Sequence, residues 1–400
     1  FVKQFTDKVE RAFLSRLVEG VTETKLRLDY VIDQNSKTKI KSVTGDRLSA
    51  PDGLLPDSFM DSVPDSAACN ECVKLAKKHG FAGLSGFVNG VLRTITREKT
   101  KLAYPDQKRE PERYLSVMTS TPLWLVQKLI LEYGTESAET IFQAAFAEED
   151  EYPAEQTSIE ENGETMDFYK NRLKEAGITV EPGAYYEGAW LLSGYDYTQD
   201  SGNKQGYFTV QDESSMCAVA AAGIRPEDFV MDICAAPGGK TTAAAELAQQ
   251  GHVLSMEHCR GKLELIEENV ERLKLANVDI RCQDATEYMQ EQEEKQMLLS
   301  QICLVPDLAS WEENDIKYRV TEEQIESLVE LQHTILQNAC RYVKAGGTLL
   351  YSTCTITKEE NTLQVERFLK EHPEYTLKEQ RQFLQASMPV TDFIMRYCIS

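Results

Sequence analysis

The stretch MDICAAPGGKTT, Met231 to Thr242, decides the reading of the fold. An apolar strand pattern closes on Asp232, a Gly-Gly turn follows, and the Ala-rich run GKTTAAAELAQQ continues as a helix. Glycines at such a turn let the backbone come close to a ligand, and the helix N-terminus behind it offers unpaired N–H groups to an anion. Outward from this turn, residues 206–400 alternate the two periodicities. DFVMDICAA reads as strand, HVLSME as strand, KLELIEENVERLKLA as helix, VDIRCQDA as strand, ESLVELQHTILQNACRYV as helix and GGTLLYSTC as strand. Strands and helices in alternation predict an α/β fold, a doubly wound Rossmann-like sheet with helices on both faces.

Upstream the chain is helical. FTDKVERAFLSRLVEGV sets Val9, Phe13, Leu14, Leu17 and Val18 on one face, and GLSGFVNGVLRTITREK does the same with Val88, Val91, Leu92 and Ile95. SAACNECVKLAKKHG stops at Gly80, a helix C-terminal signal. Between them SVTGDRLSAPDGLLPDSF keeps neither period, like a foreign insert in a helical domain. A polar boundary with two prolines lies near Lys101–Pro111, after which TPLWLVQKLILEYG and MDFYKNRLKEAG read as helices. Residues 147–165 hold eight acids and no base and read as a solvated loop. These breaks divide the chain into 1–100, 101–205 and 206–400, the second a small α+β segment.

Two ligands fit the Gly-Gly turn. Gly239, Lys240 and Thr241 match the end of a nucleotide-binding P-loop, but Cys234 stands where that motif needs its first glycine. The alternative is S-adenosylmethionine, with its carboxylate at the helix N-terminus. An acid closing the next strand would then hold the ribose, and Glu257 in LSMEH is so placed. An acid after the third strand would sit by the adenine, as Asp284 in CQDAT does. The order and spacing of the three strands favour S-adenosylmethionine. Cys354, closing the strand AGGTLLYSTC, is a candidate nucleophile at the sheet edge where α/β folds bind ligands. A lone strand-end cysteine is more often structural, and the adjacent donor loop reverses that preference. Glu359, Glu360 and Asn361 are expected to start the following helix, with the acids at its positive dipole end.

Composition narrows the classes. The 400 residues carry 43 basic and 65 acidic side chains, a net charge of −22, which argues against simple non-specific nucleic-acid binding but leaves room for a locally basic groove. No apolar run is long enough to span a bilayer, so no membrane role is expected. No cationic-then-apolar leader opens the sequence, and Phe1 in place of Met suggests a fragment. Ten cysteines are too few for a disulfide scaffold, so a cytoplasmic setting with reduced thiols is expected. Cys69 and Cys72 have no second pair or histidine at zinc spacing and read as core, as do Cys217, Cys259, Cys282 and Cys340. The five histidines show no metal-ligand spacing.

DICAAPGGK together with YSTCT and EEN resembles the RNA 5-methylcytosine methyltransferases. VPDSAACNE, GLSGFVNGVLR and YLSVMTSTPLWLVQ are similar to the RsmB (Sun) branch of that family, and GYFTVQDESS matches its lead-in to the donor loop. The resemblance covers nearly the whole chain. It implies an all-α NusB-like RNA-binding domain ahead of a methyltransferase domain, S-adenosylmethionine as cofactor, and a cytosine C5 in small-subunit (16S) ribosomal RNA as target. By motif match Cys234, Ala235, Ala236, Pro237, Gly238, Gly239, Lys240, Glu257 and Asp284 would hold S-adenosylmethionine, and Cys354 would add to C6 of the base.

The chain also departs from that pattern. The family's second cysteine sits in an Asp-x-Pro-Cys-Ser-Gly turn after the fourth strand, where this sequence has SQICLVPDLASWEENDIKYRV. Residues 43–59, the acidic loop and the tail from 385 are equally unlike it. Shifted reading frames in the gene would join these four patches. Synonymous codons for Gln301–Asn314 can be written whose third-base frame reads DLPCSGLGVLGRK; the others can yield PVIGYLLRMAYYQIL, KTSIRRNRQASKK and GVDACDGFYNAVL. Real divergence, giving a catalytically impaired paralogue that binds RNA or assembling ribosomes, is the alternative.

Overall fold

The structure, a computed structural model, describes residues 17–18, 20–36, 64–98, 101–144, 151–156, 166–193, 205–293, 297–301, 316–353, 355–384 and 389–397. For 144, 151–156, 166–169, 297–301, 316, 381–384 and 389–397 only the backbone is described. The chain forms two compact units, Phe1–Phe146 with Ser310–Arg319, and Ala147–Ala309 with Val320–Ser400.

The first unit is helical: α1 (Lys25–Asn35), α2 (Asp65–Lys78), α3 (Ser85–Glu98), α4 (Pro111–Met118), α5 (Leu123–Tyr133) and α6 (Thr135–Ala144). The apolar stripe read from α3 is the one it buries, Val88, Val91, Leu92 and Ile95. Val88 and Leu92 pack on Cys69, Cys72 and Ala76 of α2, while Val91 and Ile95 pack on Val31 and Ile32 of α1. Cys72 is fully buried, and burial pushes its thiol up to about 12, which suits a core residue rather than a reactive one. Val18, expected on the apolar face of the first helix, is 53% exposed. Lys317 and Tyr318 also belong to this unit. The Lys317 ammonium, buried and held down to about 8, donates to the Glu23 carbonyl at 2.9 Å, and the Tyr318 hydroxyl donates to the Thr22 carbonyl at 2.8 Å.

The second unit carries two sheets. Strands β1 (Glu151–Gln156), β2 (Thr179–Pro182), β3 (Ala189–Ser193) and β4 (Phe208–Val210) form a small antiparallel sheet in the order β2-β3-β1-β4, with α7 (Met166–Glu175) between β1 and β2. Strand β1 lies inside the acidic stretch expected to be a loop. Its backbone bridges β3 and β4, a pairing that uses main-chain N–H and C=O groups and so leaves no mark in side-chain periodicity.

The remaining elements are α8 (Glu213–Ala222), β5 (Phe229–Asp232), α9 (Gly239–Leu247), β6 (His252–Glu257), α10 (Arg260–Arg272), β7 (Val278–Cys282), β8 (Met297–Gln301), α11 (Glu322–Ala339), β9 (Thr348–Thr353), α12 (Thr362–Glu371), β10 (Tyr375–Leu384) and β11 (Pro389–Tyr397). They build a seven-stranded sheet in the order β10-β11-β9-β8-β5-β6-β7. Strands β9, β8, β5, β6 and β7 are parallel, and β11 pairs antiparallel with both β9 and β10. Successive strand residues serve opposite faces. Val230, Val253 and Leu350 pack with the alanines of α8 and α9, while Met231, Leu254, Leu349 and Tyr351 pack with Ile335, Leu336, Val365 and Phe368 of α11 and α12. Sheets buried on both faces read as continuous apolar runs, as β9 does with all six residues buried. The expected doubly wound architecture is therefore present. The chain leaves β5 toward β6 on one side and returns to β8 on the other, so the order reverses between β5 and β8. A crevice opens beyond the carboxyl ends of strands at such a reversal.

Candidate active site

The turn after β5 is fixed from several directions. The Ala235 N–H donates to the Met256 carbonyl at 3.0 Å, the Gly238 N–H to the Ala235 carbonyl at 2.7 Å, and Asn269 Nδ2 to the Pro237 carbonyl at 3.1 Å. Cys234 is half-buried and packs on the core below; Ala236 is half-buried and Pro237 exposed. Gly238 has φ 108°, a left-handed conformation, and a Cβ there would lie 3.2 Å from Ile266 Cα. A Cβ on Gly239 would come within 2.7 Å of Gln211 Oε1. The φ of Gly238 and the Ile266 backbone thus call for glycine at 238, whereas at 239 the neighbour is the end of the flexible Gln211 side chain. Helix α9 then begins with first-turn N–H groups that have no carbonyl partner within the helix. Lys240, buried, donates its ammonium to Ser215 Oγ at 2.9 Å.

Acids close the neighbouring strands. Asp232 is 1% exposed; its Oδ2 accepts from Thr241 Oγ1 at 2.8 Å, while its Oδ1 is buried without a hydrogen-bond partner. Burial pushes this carboxyl up to about 6, against the Thr241 hydroxyl and the Lys240 charge. Glu257 ends β6 and is also buried, its Oε1 accepting from the Cys259 N–H at 3.0 Å and facing His258 Nδ1 at 3.1 Å. Asp284 is exposed two residues beyond β7. Its Oδ1 accepts from the Thr286 hydroxyl at 2.7 Å and the Thr286 N–H at 2.8 Å, which holds the carboxyl below its usual range.

Cys354 lies outside the described residues, between Thr353, the last residue of β9, and Thr355. Both flanking residues are tied down from the segment that follows. Asn361 Oδ1 accepts from Thr353 Oγ1, and Asn361 Nδ2 donates to the carbonyls of Thr355 at 2.8 Å and Thr357 at 2.9 Å. Glu360 is fully buried; Oε1 accepts from the hydroxyls of Thr357 at 2.7 Å and Thr355 at 3.0 Å, and Oε2 accepts from Gln332 Nε2 at 2.9 Å. The expectation that Glu360 and Asn361 open the next helix with acids at its dipole end is corrected here. Helix α12 starts at Thr362, Asn361 makes no side-chain cap, and both side chains turn inward to hold the strand-end turn. Burial raises the Glu360 carboxyl above its usual range.

The NusB family model matches residues 2–97, and the model of the 16S rRNA methyltransferase RsmB/F family matches residues 220–395. A Bacillus subtilis (strain 168) protein described as a probable ribosomal RNA small subunit methyltransferase B is 33% identical over 373 residues, 91% of this chain and 81% of that relative. The chain belongs to the RsmB/F family of 16S rRNA methyltransferases. The Serratia proteamaculans ribosomal RNA small subunit methyltransferase B is 29% identical across 94% of the chain and 86% of its own length. Among solved structures, PH0851 covers 98% of the chain and 91% of itself with TM-score 0.76 at 22% identity. NSun6 from Pyrococcus horikoshii, solved with SFG, covers 74% and 99% with TM-score 0.59 at 16% identity. At these identities the two structures speak for the fold alone.

The sequence marks Asp232 only as the end of a strand and Gln211 only as part of the lead-in to the loop, yet both belong to the site. Neither the orphaned oxygen of Asp232 nor the inward turn of Glu360 has a local sequence signal, because each depends on contacts distant in sequence. Cys282, expected as core, is exposed on the edge strand β7. Among the described residues no cluster of three or more His, Cys, Asp or Glu could hold a metal, and no helix is long and apolar enough to cross a membrane.

Proposed function

We propose that this RsmB/F member transfers a methyl group from S-adenosylmethionine to C5 of a cytosine in 16S ribosomal RNA, through a covalent bond between Cys354 and C6. The reading is carried by the acids Asp232, Glu257 and Asp284, which end or follow three adjacent parallel strands beside a tight Gly-Gly turn. The site fits the methyl donor. The first-turn N–H groups of α9 suit its carboxylate, the unpaired Asp232 Oδ1 suits its ammonium, and Glu257 suits the ribose hydroxyls. Asp284 would lie by the adenine, and Cys234 to Lys240 would wrap the methionine part.

When bound, S-adenosylmethionine supplies a methyl group on a sulfonium centre. The protein's task is to make C5 nucleophilic. The Cys354 thiolate adds to C6 and the electron pair shifts to C5, which would then take the methyl group that bound S-adenosylmethionine supplies, with the neutral thioether as leaving group. Release then requires loss of the C5 proton and expulsion of the thiolate. Residues 1–100 act as an RNA-binding domain, 101–205 as the connecting segment and 206–400 as the methyltransferase, working in the cytoplasm. A second reading, a donor-binding and RNA-holding chain of little turnover, is favoured by one observation. No Asp-x-Pro-Cys turn follows β8 in the sequence.

Two expected results test the donor placement. Glu257→Ala should weaken S-adenosylmethionine by roughly ten- to a hundredfold in calorimetry, the worth of a charge-assisted hydrogen bond of about 1.5–3 kcal/mol; unchanged affinity would sink the ribose assignment. The second concerns pH. The ligand ammonium pairs with ionised Asp232, whose carboxyl titrates at about 6. Below that pH binding must expel a proton, so affinity should fall by about tenfold per pH unit; above it affinity should level off, and fall again where the ligand ammonium loses its own proton, at roughly pH 8 or higher. A slope that persists in Asp232→Asn would assign it elsewhere.

A further inference from the structure

Gln211 follows β4 and precedes Asp212, whose carboxylate accepts from the Ser214 N–H at 2.8 Å to cap α8. The small sheet thereby delivers Gln211 to the start of α9. Its side chain is 9% exposed, and neither Oε1 nor Nε2 has a hydrogen-bond partner. A buried amide with both polar atoms unpaired is costly and uncommon, and calls for a physical reason. The reason lies beside it. The Oε1 atom lies 2.7 Å from where a Cβ on Gly239 would be, against the helix end whose first N–H groups have no partner within the helix, and the buried Asp232 that closes β5 carries a further unpaired oxygen.

We propose that Gln211 is a binding residue for the amino-acid end of the methyl donor, its Nε2 donating to the carboxylate and its Oε1 accepting from the ammonium. This rests on the reading of the site as a methyl-donor site. An amide offers one donor and one acceptor, and a zwitterion asks for that pair. A phosphate would want donors only and would be repelled by Asp232 and by Oε1. With three rotatable bonds, the side chain can leave its seat on Gly239 to meet the ligand.

The test compares S-adenosylhomocysteine with 5′-methylthioadenosine, which keeps the adenosine but lacks the amino-acid end. In calorimetry on the full chain, Gln211→Leu should weaken S-adenosylhomocysteine by roughly ten- to a hundredfold and leave 5′-methylthioadenosine within about twofold. Gln211→Glu, which keeps the size and repels the carboxylate, should give the same selective loss; it keeps the test decisive should the leucine variant fold poorly. Unchanged affinity for S-adenosylhomocysteine, or equal loss of both ligands in both variants, overturns the proposal. Failure of the unaltered chain to bind either ligand instead overturns the donor-site reading on which it rests.

Discussion

RNA methylated by this chain is expected to remain attached to it. Cytosine C5 is a weak nucleophile until a thiolate adds at C6, so methyl transfer and covalent attachment come together. Release requires a base for the C5 proton and departure of the thiolate. The resemblance to the RNA 5-methylcytosine methyltransferases implies that a second cysteine, in an Asp-x-Pro-Cys-Ser-Gly turn, would serve that step and that the Asp of the turn would stabilise the ring during attack. Residues 298–314 here read LLSQICLVPDLASWEEN, with neither group in place. A denaturing gel of the chain incubated with small-subunit ribosomal RNA and labelled S-adenosylmethionine should show little methylation, no more than about one methyl per protein, in a band that carries both RNA and protein. Cys354→Ala should lose that band and reduce methyl transfer by roughly a thousandfold or more, as removal of a nucleophile does. Repeated turnover by this chain, or normal activity in Cys354→Ala, would show that the cysteine roles are wrongly assigned. Sequencing the gene across residues 295–320 separates a shifted frame from real divergence, and a shifted frame predicts a natural protein that turns over normally.

Asn361→Ala is expected to separate binding from chemistry. Its amide holds Thr353, Thr355 and Thr357 at once, on both sides of Cys354, and all four residues are buried. Each abandoned buried partner costs about 1–3 kcal/mol, so urea unfolding should report a loss of roughly 3 kcal/mol or more. A misplacement of about 1 Å at a reacting atom can cost a hundredfold in rate. Adduct formation should therefore slow by at least that factor, while S-adenosylhomocysteine, bound across the sheet at β5 to β7, keeps its affinity. Loss of stability with an unchanged rate of adduct formation would make Asn361 a residue of the fold alone.

Much of this was legible in the sequence because the forces involved are local. Alternating apolar runs bounded by Gly and Asp mark β5, β6 and β9, and a period near 3.6 marks α3 and α11. The turn after β5 was legible because Gly238 answers to a left-handed φ and close packing against Ile266. What stayed hidden depends on contacts remote in sequence. EEN before a helix looks like charge at a dipole, and only the approach of Gln332 and the Thr355–Thr357 hydroxyls turns Glu360 inward. Strand β1 has no alternation to betray it, since its place between β3 and β4 is set by backbone pairing. Lys317 and Tyr318 sit between β8 and α11 in sequence yet belong to the helical unit, because their partners are the carbonyls of Glu23 and Thr22.

The central claim is the covalent route through Cys354, and mass spectrometry of the trapped complex tests it most directly. The chain is reacted with 16S ribosomal RNA and S-adenosylmethionine, then digested with protease and nuclease. The account predicts one modified peptide, the one containing Cys354, carrying the mass of a cytidine nucleotide plus one methyl group. A methyl group found on RNA with Cys354 unmodified and no cysteine adduct, or an adduct on a different cysteine or a different base, would contradict it.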